Sequence, residues 1–205
     1  ATFESTLSLE IKRLCEMVEL GAGEVSGIQA VINWVQGFGY TSADDVHLAV
    51  VLITYTYLGL VLTLAQGFLV RRIAGRVSDG ALAVFGAVIA TIGYGLLSLA
   101  VRNADYVLLS LAMAIVTVGF AFIPPAIQSL ISRRTRADQQ GHVLGVGQSV
   151  SSLARILGPV FGIRLFAQSP PLPFWSVTAL MFVGIVFTIA ATGTGRSKLR
   201  ETASE

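Results

Sequence analysis

Residues 141–167, GHVLGVGQSVSSLARILGPVFGIRLFA, constrain the chain more than any other stretch. They are mostly apolar and exceed the ~20 residues that a helix needs to cross a bilayer. Yet Arg155 stands near their middle. A charge at that depth costs about 2.5–3.5 kcal/mol on insertion scales, so its side chain belongs against protein or a water-filled cavity. Gln148, Ser149, Ser152 and Arg155 recur at spacings of three and four and share one helical face. Gly141 with Gly145, and Gly158 with Gly162, are small residues four apart that let a neighbouring backbone approach. Pro159 removes a backbone donor inside the span, which a packed helix tolerates. Two readings stay open: a packing helix whose arginine pairs structurally, and a helix that lines a polar pathway.

The same apolar character recurs along the chain. Charged residues make up 13%, about half the share in a soluble domain, and the hydrophobic residues fall in long runs. The expected fold class is an all-α membrane protein. A net charge of +2 is too small to point to nucleic acid. The single Cys15 has no partner for an internal disulfide. No His/Cys cluster has metal-ligand spacing and no Ser/His pair falls within the apolar runs, so no metal, cofactor or enzyme activity is expected.

Complete spans are predicted at residues 46–70, 81–101, 106–131, 142–167 and 174–192, and residues 1–13 read as the end of a truncated first span. The opening at Ala1, inside a helix-like segment, leads to the expectation of a piece of a longer chain. Glu4 is then either a membrane-embedded acid or the polar end of a fragment. Residues 14–45 carry five acids and no Lys or Arg, and read as an extracytoplasmic insertion. Within it, Val25, Ile28, Ile32 and Val35 mark one face of an amphipathic helix over residues 24–36, and Trp34 suits an interfacial position. Its apolar face is expected either on the membrane surface or on the outer ends of the spans. Ser42 and Asp45 form a capping-box pattern. Tyr55 and Tyr57, two apart, point to different sides of their helix, so at most one faces a cavity. Pro124 and Pro125 interrupt their span as a hinge or a static bend. Residues 193–205 form a polar tail, expected to be flexible.

Topology follows from the basic residues. Nine lie in residues 71–76, in residues 133–136 and in the tail, all on one side when the spans alternate; Lys12, Arg13, Arg102 and Arg164 lie on the other. Nine against four puts both basic loops and the C-terminus in the cytoplasm; a bacterial plasma (inner) membrane is the expected location, as the family resemblance given below implies.

Several stretches together resemble the major facilitator superfamily, in particular the C-terminal half of drug/proton antiporters of the tetracycline and multidrug efflux type. The run from Gln66 through Gly67 to Arg71, Arg72 and Arg76 is similar to that family's cytoplasmic loop motif, although an acid stands in the fuller motif where this chain has Arg71. Gly145, Gln148, Ser149, Ser152, Arg155, Gly158, Pro159 and Gly162 resemble the eleventh helix. Phe3 to Leu7 resemble the end of the seventh, and Pro124, Pro125, Gln128 and Ser129 the end of the tenth. The resemblance implies a six-helix half of the fold, helices seven to twelve, built as two inverted three-helix repeats. It implies a missing N-terminal half of six helices, a central cavity, and alternating access. The implied function is proton-coupled efflux of a small amphiphilic molecule. Metabolite or sugar uptake, and a non-transporting scaffold or receptor, are the alternatives.

On that reading Glu4, Tyr55, Gln128, Gln148, Ser149, Ser152 and Arg155 face the cavity. Gly67, Arg71, Arg72 and Arg76 form a gating loop. Gly145, Gly158, Pro159 and Gly162, with Pro124 and Pro125, serve packing and hinge roles. Glu4 is the only local candidate for protonation and the expected partner of Arg155, at a depth that differs by about 6 Å at 1.5 Å per residue.

Overall fold

The computed structural model describes the backbone of residues 2–20, 27–40, 42–73, 75–136 and 138–201, and their side chains except at 2–5, 134 and 190–201. The chain is all-helical: α1 (Thr2–Glu19), α2 (Ile28–Gln36), α3 (Ala43–Leu64), a π-helical turn (Ala65–Val70), α4 (Arg71–Ile73), α5 (Asp79–Asn103), α6 (Tyr106–Arg134), α7 (Gln140–Gln168) and α8 (Leu172–Glu201). Among the described residues, five segments are long and apolar enough to cross a membrane: Ala43–Ile73, Asp79–Asn103, Tyr106–Arg133, Gln140–Gln168 and Leu172–Ile189.

Local chemistry sets the helix ends. The Ser78 hydroxyl accepts from the Ala81 amide at 3.4 Å and starts α5. Asp105 Oδ1 accepts from the amides of Val107 at 2.9 Å and Leu108 at 3.1 Å and starts α6. Between them α5 stops at Ala104, whose φ of 52° turns the chain out of the helix. Ser42 has the extended backbone of an N-cap, but its side chain makes no capping bond; Asp44 and Asp45 in the first turn of α3 supply the favourable charge instead.

Three stretches differ from expectation. The first helix runs on to Glu19, because Leu14 and Cys15 continue the buried stripe of Leu7 and Ile11. Residues 14–19 are therefore part of α1 and not of a separate segment. The amphipathic helix is Ile28–Gln36, and residues 21–26 lie outside the described residues. Its apolar face, Ile28, Ile32 and Val35, is buried in the bundle's main cluster with Leu14, Val46, Val50 and Tyr106. Of the two positions expected for that face, the ends of the spans are the one occupied. Gly27, in the left-handed region at φ 86°, lies against Val107 Cγ2 at the start of α6. At the other terminus α8 continues past residue 192 to Glu201, where a tail was expected; Lys198, Leu199, Arg200 and Glu201 favour a helix, although Gly193 and Gly195 do not.

The tightest packing is between α5 and α6. A Cβ built at Gly119 would lie 2.5 Å from the Ala90 amide nitrogen and 2.7 Å from the Gly86 oxygen. At Gly93 it would meet the Val116 nitrogen at 2.8 Å. Glycine here lets two backbones touch, as small residues do between membrane helices. Of the four α7 glycines expected to serve that purpose, two face open space within this chain: a Cβ at Gly141 or Gly145 meets nothing within 4 Å. Only Gly162 of α7 is buried.

α3 is tied to α6 by a buried hydrogen bond of 3.0 Å between the Thr54 and Tyr106 hydroxyls. α6 remains helical through Pro124 and Pro125, both exposed, so the predicted interruption does not break the helix. α7 is likewise continuous through Pro159.

Candidate functional site

α7 carries the polar face read from the sequence. Gln148, Ser149, Ser152 and Arg155 lie on it, and all four are exposed. The Ser149 hydroxyl donates to the Gly145 carbonyl at 3.0 Å, and that of Ser152 to the Gln148 carbonyl at 2.9 Å. Such back-bonding satisfies the donors within the helix and leaves each oxygen able to accept. Arg155 forms no ion pair with another described side chain. Glu4 lies in α1, but its side chain is outside the described ones, and so is its pairing with Arg155.

The apolar side chains of α7 are uncovered as well. Val150, Ile156, Val160 and Phe161 are all more than half exposed. On a membrane-length helix the bare apolar side chains suit lipid, whereas Arg155 belongs against protein or a water-filled cavity.

The acid that the structure does bury is Glu10, which the sequence reading passed over. Its side chain is 0% exposed, and Arg13 Nη1 donates to both carboxylate oxygens, at 3.0 and 3.2 Å. Thr6, one turn earlier on the same face, is also buried. α1 packs chiefly against α7, with smaller contacts to α3. A buried carboxylate beside a half-exposed arginine is a charge pair whose partner can reach solvent. The signal was present: Glu10 falls between Leu7, Ile11 and Leu14 on one helical stripe.

The other cavity candidates are dispersed. Tyr55 is half-buried and packs against the main cluster, while Tyr57 is exposed. Gln128 is exposed near the far end of α6.

At the end of the bundle away from α2, Gly67 lies in the π-helical turn, and Arg71, Arg72 and Arg76 are exposed. Turns of this type occur often at functional sites. Beside them sits a small network that sequence reasoning missed. Asp79 Oδ2 accepts from the Ser129 hydroxyl at 2.7 Å and from Arg133 Nε at 3.1 Å, joining the start of α5 to the end of α6.

Comparison with known proteins gives this geometry its context. Residues 20–159 match the Major Facilitator Superfamily. The chain belongs to that family. It is an integral membrane protein, and its family is one of transporters rather than enzymes. It is 31% identical over 86 residues to multidrug resistance protein 1 of Bacillus subtilis, covering 42% of this chain and 22% of that protein. Over 111 residues it is 28% identical to the class C tetracycline resistance protein of Escherichia coli, 54% of this chain and 27% of that one. An uncharacterized MFS-type transporter of B. subtilis, YttB, is 24% identical over 154 residues, 73% of this chain and 38% of its own length. The chain thus spans well under half the length of these relatives. The family match begins at residue 20, within the stretch 14–45 that reads from the sequence as an insertion.

Proposed function

We propose that the chain is the C-terminal half of a secondary active transporter that exports a small amphiphilic molecule in exchange for protons by alternating access. The observation that carries this reading is α7: a membrane-length helix with a polar, charged face and almost no cover from its own chain. An N-terminal half of six helices would complete its surroundings and close a cavity over Gln148, Ser149, Ser152 and Arg155. Tyr55 and Gln128 would join them as substrate moves through. The names of two relatives, for multidrug and tetracycline resistance, support efflux over uptake.

Proton coupling rests on two acids of α1. Glu10 is buried with Arg13. Glu4 lies about 22 Å before the end of α1, and Arg155 about 20 Å before the end of α7, at 1.5 Å per residue. The similar depths on two packed helices support a Glu4–Arg155 pair. Arg71, Arg72 and Arg76 would gate the cytoplasmic end, and Pro124, Pro125, Gly158 and Pro159 would accommodate the motion. The two basic loops and the C-terminus would lie in the cytoplasm, with the bilayer a bacterial inner membrane. The spans would form two inverted three-helix repeats, and the stretch 14–45, apart from residues 14–19 that complete α1, an extracytoplasmic element.

The test is flux in proteoliposomes that contain the full-length protein. A fluorescent amphiphile should move against its gradient when a pH gradient is imposed. Glu10→Gln should uncouple that movement from the gradient, and Arg155→Ala should lower it strongly. Substrate movement by the wild type that ignores the pH gradient would refute the coupling.

A further inference from the structure

With its apolar face committed to the bundle, α2 still exposes an aromatic edge. Trp34 is 58% exposed, Phe38 66% and Tyr40 48%. Trp34 and Phe38 stack edge-to-face with ring centroids 4.7 Å apart, so the pair is ordered before anything touches it. α2 itself, IQAVINWVQ, has no charged residue, and its exposed Gln29 and Asn33 hydrogen-bond to each other at 3.0 Å.

The position of this edge says what covers it. α2 is pinned at both ends to the opening turns of membrane spans. Gly27, before its first turn, lies on Val107 at the start of the span Tyr106–Arg133. Its last turn leads through Tyr40 into the span that begins at Ala43. The helix therefore runs along the surface from which two spans emerge. Trp and Tyr are enriched where a bilayer meets water, because their rings are apolar and their edges polar. Exposed acids lie in the stretches on either side of α2 in the chain, Glu16 and Glu19 before it and Asp44 and Asp45 after it, and Lys12 is paired with Glu16. Residues 14–45 hold no Lys or Arg, so the segment itself offers no cation to attract an anionic surface.

We propose that Trp34, Phe38 and Tyr40 form an interfacial anchor that inserts into the headgroup–acyl boundary of a zwitterionic leaflet, at the end of the bundle opposite Arg71 and Arg72. The anchor fixes the height of α2, and through Ile28, Ile32 and Val35 the height of the bundle's main cluster, relative to the membrane.

The experiment reads the depth of Trp34 and is independent of transport. The full-length protein, with every tryptophan but Trp34 replaced by phenylalanine, is reconstituted in phosphatidylcholine brominated either near the glycerol or near the chain ends. The expected result is several-fold stronger quenching by the shallow bromine, with little quenching by aqueous acrylamide. Strong acrylamide quenching with none from either lipid would place the edge in water and overturn the proposal. Stronger quenching by the deep bromine would overturn it too. So would protection from all three quenchers, which would mean that protein covers the edge, whether a second copy or another part of the chain.

Discussion

Replacing Gly119 with alanine should loosen the bundle at its tightest seam. The added Cβ would lie 2.5 Å from the Ala90 nitrogen, 2.7 Å from the Gly86 oxygen and 2.9 Å from the Ala90 Cα. All three are backbone atoms of α5, so no change of rotamer relieves the contact. Non-bonded carbons settle at about 3.5–4.0 Å, so the two helices must part by about 1 Å. That separation also weakens the approach of Gly93 to Val116, further along the same seam. Over-packing of this kind costs about 1–3 kcal/mol. Alanine's better helix propensity returns about 1 kcal/mol, so the clash prevails by up to about 2 kcal/mol. For a protein of this size that lowers Tm by up to about 8 °C. The control is Gly145→Ala, where a Cβ meets nothing within 4 Å; it should melt no lower than wild type. The assay heats detergent-solubilised protein carrying a fluorescent tag and measures the surviving monodisperse peak by size-exclusion chromatography. If Gly119→Ala melts as high as Gly145→Ala, the backbone contact between α5 and α6 is not what holds them.

Three further outcomes follow from the structure. Thr54→Val and Tyr106→Phe, combined in a double-mutant thermal-stability cycle, should show a coupling of about 0.6 kcal/mol, the mean for hydrogen bonds between membrane helices; zero coupling would mean that the 3.0 Å hydroxyl pair is not formed. Ile32→Ala should destabilise the protein by about 2–5 kcal/mol in the same melting assay, because its side chain is buried; a neutral result would detach α2 from the core. A cysteine at Ser78 should resist impermeant thiol reagents in intact cells, with little background from buried Cys15; rapid labelling from outside would invert the topology.

What was legible in the sequence was what bilayer thickness imposes. Twenty-odd apolar residues bounded by charges mark a candidate span whatever packs beside it, and the five helices of membrane length among the described residues overlap the five stretches read from the sequence. The glycines show the limit. Gly141 and Gly145 are spaced four apart, as are Gly86 and Ala90, yet the first pair faces open space and the second meets Gly119. Spacing gives a face but not the helix that comes to it. Glu10 failed for a different reason: residues 1–13 read as a truncated end, where an acid looks solvent-bound, whereas the helix runs on to Glu19 and carries Glu10 inside. The link from Asp79 to Ser129 and Arg133 crosses about fifty residues of sequence, a distance that local pattern does not reach.

These packing differences divide the bundle by task. α5 and α6 meet through glycine backbones, with no charged residue along the seam from Gly86 to Val116, and a polar network fastens one end. Backbone contact of that kind has little room for an alternative arrangement, because packed interiors switch between discrete states and do not deform smoothly. α7 is the opposite case: a continuous helix with small, polar and charged side chains outward and few neighbours of its own. α1 packs on α7, with smaller contacts to α3, and buries Glu10. The α5–α6 seam is thus the part of the bundle with least freedom to rearrange, and the contact of α1 with α7, the least covered of the membrane-length helices, the part with most.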